Sequence, residues 1–120
     1  MKRDNNLDYK PEHILVSTGA KQSLANAIFA IVDEGDEVII PEPFYANYNG
    51  FAVEAGVIVK PIISSIETGF ALPPIEDFEK VITSKTKAII ICSPNNPTGY
   101  LYSREEMEAL KLLCLKYDLY

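Results

Sequence analysis

Apolar residues recur along the chain in two rhythms, one helical and one extended. Leu24, Ile28, Ile31 and Val32 fall on one face at helical spacing from Ala20 onward, until Asp33-Glu34-Gly35-Asp36 interrupts them. A period near 3.6 residues marks an amphipathic helix, and Gly35 suits a left-handed C-cap. Glu37-Val38-Ile39-Ile40 reads as a strand closed by Pro41-Glu42-Pro43. Phe44 to Ala55 predicts a second helix, with Phe44, Tyr48, Phe51 and Ala55 along one face and Gly56 as its stop. Val57 to Ile63 is β-branched and extended, and Pro61 confines it to a sheet edge. A loop from Gly69 to Pro74 leads to a short helix around Ile75 to Ile82.

A continuous apolar run, Ala88-Ile89-Ile90-Ile91, predicts a fully buried strand from Lys87. It stops at the proline-clamped turn Cys92-Ser93-Pro94-Asn95-Asn96-Pro97-Thr98-Gly99. The last helix begins at Ser103, whose hydroxyl and Glu106 form a Ser-x-x-Glu capping box. Its predicted apolar face is Met107, Leu110, Cys114 and Tyr117. Ahead of everything, residues 1 to 12 form a polar lead-in, and His13-Ile14-Leu15-Val16 reads as a short first strand. Strand and helix thus alternate four times, with connections too long for hairpins. That order predicts an α/β fold, a mostly parallel sheet with flanking helices.

In open sheets of this kind, ligands sit just past the carboxyl ends of the strands. Three turns are expected there. Ser17-Thr18-Gly19-Ala20-Lys21 opens a helix, where free N–H groups and the positive end of the helix dipole make an anion site. Lys21 adds a positive charge, and Gly19 lets an anion approach the backbone. This is no Walker loop, because the earlier glycine is absent and Gln22 follows Lys21. The same turn could be an ordinary N-cap. Tyr45, after Pro43-Phe44, could stack on a flat ring or simply pack. Asn96, held between Pro94 and Pro97, offers an amide to a phenolate-like oxygen, or merely makes a turn.

An anion, a ring face and a ring oxygen together describe pyridoxal 5′-phosphate. Ser17 to Gln22, Gly35 to Tyr48 and Ser93-Pro94-Asn95-Asn96-Pro97-Thr98-Gly99 resemble class I/II pyridoxal-phosphate-dependent aminotransferases of the aspartate aminotransferase fold type. The likeness runs through essentially the whole chain. It implies that Gly19, Ala20 and Lys21 lie at the cofactor phosphate, that Tyr45 stacks on the pyridine ring, and that Asn96 bonds its 3′ oxygen. It also implies that the chain, residues 1–120, is a fragment of the cofactor-binding large domain. The Schiff-base lysine, the aspartate at the pyridine nitrogen, the substrate arginine and the small domain are expected outside it. Ser84-Lys85-Thr86 looks like the Schiff-base motif but precedes the buried strand, in a loop the family does not use for catalysis. No catalytic residue is therefore assigned here.

The intact enzyme is expected to exchange an amino group between an amino acid and a 2-oxo acid, most plausibly of aspartate or aromatic type, as a cytoplasmic homodimer. The chain alone is expected to be inactive. Two alternatives stay open: a lyase or synthase of the same fold type, and a non-enzymatic α/β module that binds a phosphate-bearing ligand. Composition narrows the partners. A formal net charge of −6, with 11 Lys and Arg that gather on no one face, argues against a nucleic-acid surface. The single histidine, His13, has no neighbouring ligand partner, so no metal site is expected. No apolar run approaches a membrane span or follows the basic start as a signal peptide would. Cys92 and Cys114 read as reduced structural thiols.

Overall fold

One strand is used on both edges and both faces, and the other elements assemble against it. In the computed structural model, which describes residues 8–120, this is β1 (Glu37–Glu42). It pairs in parallel with β2 (Ile58–Ile63) on one side and with β3 (Thr86–Ile89) on the other. Successive β-branched residues suit such a strand because each face meets a packed layer. Val38 and Ile40 point one way, into a cluster with Tyr48 and Ala88. Helices α1 (Ala20–Ile31) and α2 (Asn47–Ala55) cover that face through Leu24, Ile31 and Phe51. Ile39 points the other way, into a cluster with Ile62, Phe78, Leu110 and Leu113. Helices α3 (Ile75–Val81) and α4 (Arg104–Tyr117) supply those last three side chains. The α/β class and the parallel sheet expected from the sequence are both present.

The predicted first strand is not. Pro11–His13 forms a single 3-10 turn, and Ile14, Leu15 and Val16 are exposed and outside any ladder. Both edges of β1 are already occupied, and although Ile14 is extended at φ −122°, ψ 119°, the three residues pair with neither outer strand. The first part of the predicted lead-in, residues 1–7, lies outside the described residues.

Other boundaries move for local reasons. Gly35 caps no helix: α1 ends at Ile31 with Val32 extended, and Gly35 sits in the following turn at φ 86°. The left-handed C-cap belongs to Gly56, at φ 67°, which ends α2. Helix α2 begins at Asn47, not Phe44, although the Phe44 ring still stacks on Tyr48 at 6.0 Å. On α4 the capping box of Ser103 and Glu106 forms as predicted. Its inward face is centred on Leu110 and Leu113, with Cys114 and Tyr117 half-buried and Met107 exposed. The expected buried strand is cut short: β3 ends at Ile89, and Ile89 to Ile91 are half-buried rather than fully enclosed, because the outer edge there carries little. There Tyr120 makes one parallel bridge: the Ile89 N–H donates to the Tyr120 carbonyl and the Tyr120 N–H to the Lys87 carbonyl, each at 2.9 Å. Pro61 does lie on the sheet's edge strand, opposite Ile40.

At the amino ends of the strands sits a buried polar node. The Glu37 carboxylate accepts from Thr83 Oγ1 at 2.6 Å and from Thr86 Oγ1 at 3.2 Å, and Lys60 Nζ stands 3.4 Å away. Each of the three strands therefore contributes a side chain to it. The Thr83 hydrogen bond, aided by Thr86 and by the Lys60 ammonium, holds the carboxyl below its ordinary value of 4.5. A depressed carboxyl contributes stability that is present above the ordinary value and is lost as the pH falls through the folded one. Chemical denaturation from neutral pH into the acid range should therefore show a loss that Glu37→Gln flattens. At neutral pH the same variant should be less stable by about 1–3 kcal/mol.

Candidate functional site

Helix α1 runs back against β1, so its N-terminus arrives at the carboxyl end of that strand without needing a strand before it. Gly19 occupies its N-cap at φ 149°, ψ 167°, a conformation that side-chain-bearing residues rarely adopt. No side chain caps the helix. Gln22 is drawn backward instead: its Oε1 accepts from the Thr18 N–H at 2.9 Å and from the Thr18 hydroxyl at 2.6 Å. Among the described residues no acceptor meets the N–H groups of Ala20, Lys21 and Gln22. They form an exposed, uncapped donor cluster at the positive end of the helix.

The loop after β1 brings Tyr45 to the same edge. Its ring meets Tyr48 edge-on, at 5.8 Å and 88°, and its hydroxyl accepts from Asn47 Nδ2 at 2.8 Å. Tyr48 is buried beneath it. Burial, with the Cys92 thiol beside it, pushes the Tyr48 hydroxyl up to about 12.

The turn after β3 contains two adjacent asparagines with different tasks. Asn95 Oδ1 accepts from the Thr98 N–H at 3.1 Å and from the Thr98 hydroxyl at 2.9 Å. The Asn95 backbone binds Gly99 and Tyr100, each at 2.8 Å. Gly99, at φ 75°, makes the reversal possible. The peptide bonds preceding Pro43, Pro94 and Pro97 are cis. Asn96 takes no part in these bonds, and among the described residues its amide has no partner.

Gly19, Ala20, Lys21, Tyr45 and Asn96, the residues singled out from the sequence, all line one cavity of about 580 Å³. Uncapped N–H groups mark one end of it, and aromatic rings form a wall. Tyr48, Phe51 and Cys92 also line it. The sequence reading had assigned these to packing and to a structural thiol; their signal was only adjacency to a motif. Among the described residues, Lys21 is the one lysine that lines the cavity. Ser84-Lys85-Thr86 lies at the opposite end of the sheet, where the Lys85 carbonyl accepts from the Glu37 N–H at 2.9 Å.

The turn is joined to the rest of the fold through Glu106. Its carboxylate accepts from the Tyr100 hydroxyl at 3.1 Å, from the Ser103 N–H at 2.6 Å and from the Leu72 N–H at 2.7 Å. A helix cap, the site turn and the loop before α3 thus meet on one side chain.

Comparison with known proteins follows this geometry closely. The family described as Aminotransferase class I and II matches residues 1–120. Aspartate aminotransferase of Bacillus subtilis (strain 168) is 45% identical over 118 residues, covering 98% of this chain and 30% of that protein. Aspartate/prephenate aminotransferase of Thermus thermophilus is 41% identical over 119 residues, covering 99% of this chain and 31% of that protein. Among solved structures, aspartate aminotransferase from Thermotoga maritima superposes with a TM-score of 0.94 at 39% identity, over 99% of this chain and 32% of that one. The chain therefore spans about a third of the length of these relatives.

The joint at Glu106 can be tested apart from any ligand. Glu106→Ala should destabilise the fold by about 2 kcal/mol, more than an exposed cap residue alone, because three donors lose their acceptor together. Native-state amide exchange should quicken at Leu72 and Ser103 ahead of the β1 amides. Protection that falls evenly across the chain would show that no such joint exists.

Proposed function

The chain belongs to the class I and II aminotransferases, and from that premise we propose that its cavity holds pyridoxal 5′-phosphate. The observation that carries this reading is the meeting, in one cavity, of an uncapped helix N-terminus, an aromatic ring and an amide without a partner. The residues fit the group. Three free N–H donors and the Lys21 ammonium suit a phosphate. Nothing lies within 4 Å of where a Cβ on Gly19 would stand, which leaves the backbone open to an anion. Tyr45 offers a flat face for a pyridine ring, and Asn96 can donate to the ring's 3′ oxygen.

The cofactor supplies an electron sink for the pair released when a bond to the amino acid's Cα breaks. This chain's residues bind and orient. The helix end fixes the phosphate, Tyr45 fixes the ring plane, and Asn96 fixes the direction in which the 3′ oxygen points. Tyr48, neutral as any phenol is near pH 7, lines the same cavity without adding charge. The sole lining lysine is committed to the anion end, so this chain alone does not carry out amino transfer. The chain is the cofactor-binding part of a large domain. The whole protein exchanges an amino group between an amino acid and a 2-oxo acid, and the relatives named for aspartate favour a dicarboxylic substrate.

The test is a titration of the chain with pyridoxal 5′-phosphate, read by calorimetry. Pyridoxal, which lacks the phosphate, should bind at least tenfold more weakly, and inorganic phosphate should compete. Lys21→Ala and Asn96→Ala should each weaken binding by roughly ten- to a hundredfold, in line with about 1.5–3 kcal/mol for a charge-assisted hydrogen bond. Equal affinity for pyridoxal and its phosphate, unaltered by either substitution, would sink the reading.

A further inference from the structure

Tyr45 belongs to no helix or strand, yet its side chain is held from two directions. Asn47 is the first residue of α2, a place where a polar side chain commonly serves the helix end. Here it does not. The N-cap is Ala46, no side chain caps the helix, and Asn47 Nδ2 donates instead to the Tyr45 hydroxyl at 2.8 Å. On the other side the Tyr48 ring stands perpendicular to Tyr45 at 5.8 Å, and Tyr48 is itself stacked on Phe44. The Tyr48 N–H donates to the Tyr45 carbonyl at 3.0 Å, closing the backbone around the same two residues. A loop aromatic would otherwise lose rotamer freedom when a ligand stacks on it, a cost that falls directly on affinity. With both ends of the ring fixed beforehand, that cost is met by folding.

We propose that Asn47 is a positioning residue for the cofactor site: its amide anchors the Tyr45 hydroxyl so that the ring already presents its face to the cavity. Asn47 is absent from the cavity lining, so it acts through Tyr45 rather than on the ligand. The inference rests on the cofactor reading above, and the two can fail separately.

The experiment is a double-mutant cycle on pyridoxal 5′-phosphate affinity, with ring-labelled tyrosine spectra of the ligand-free chain beside it. Asn47→Ala should weaken binding by roughly three- to tenfold, the range expected for one hydrogen bond. Tyr45→Phe, which keeps the ring and removes only the anchor, should weaken it by the same factor. The double variant should be no worse than either single one. Without ligand, Asn47→Ala should speed rotation of the Tyr45 ring while the thermal midpoint stays nearly unchanged. Additive losses in the double variant, or undiminished affinity in Asn47→Ala, would overturn the proposal. If the unaltered chain binds no pyridoxal 5′-phosphate at all, the cofactor reading falls and takes this role with it. In that case the spectra still decide whether Asn47 holds the ring.

Discussion

Everything in this structure depends on β1 having no free side. Its five most buried residues, Glu37 to Pro41, meet neighbouring strands laterally and helices above and below. A strand enclosed in this way fixes the direction of all that touches it. The parallel neighbours must leave at the same end as β1. The helix that precedes β1, folded back on it, must begin at that end too. This is why the α1 N-terminus, the Tyr45 loop and the turn after β3 gather at one place although they are far apart in the chain. The convergence is a consequence of strand direction, and it holds even though the expected strand at His13 to Val16 is absent.

The two ends of the sheet are chemically unlike. At the amino end, Glu37 is saturated by Thr83, Thr86 and Lys60, so a buried carboxylate is stabilised where no ligand reaches it. At the carboxyl end, donors are left unmet among the described residues: helix N–H groups, and the Asn96 amide. Polar groups that the fold satisfies hold the sheet together, and those it leaves unsatisfied define the cavity. Neighbouring residues can fall on either side of that division. Asn95 and Asn96 are identical side chains one position apart, yet Asn95 is spent on Thr98 while Asn96 faces the opening.

How much of this could be read in advance follows from the range of each interaction. The Ser103–Glu106 cap is local, four residues in span, and its sequence pattern names it. Pro61 on an edge and Val38 to Ile40 in the centre follow from the chemistry of those residues alone. That Gly19, Ala20, Lys21, Tyr45 and Asn96 would meet in one cavity was legible because each follows or opens an element at the same edge of the predicted sheet. What stayed hidden was contact between distant segments. Glu106 reaching Leu72 and Glu37 reaching Thr83 cross wide gaps that no periodicity marks. His13 to Val16 misled because a short apolar run becomes a strand only when it joins a ladder, and this one joins none although Ile14 is extended. Asn47 stayed hidden because a helix running from Phe44 would turn Tyr45 and Asn47, two residues apart, to different faces; the helix instead begins at Asn47.

The Asn96-Pro97 pair has a consequence for how this protein ages. An asparagine side chain hydrolyses most readily when the backbone nitrogen of the next residue attacks its amide carbon and closes a five-membered imide. That route requires the nitrogen to give up a hydrogen, and proline has none. The amide that faces the cavity is thus followed by the one residue type that blocks its commonest route of chemical decay. Over the lifetime of a protein molecule, this exposed amide is shielded from becoming a carboxylate by that route, and the polarity of the opening is preserved.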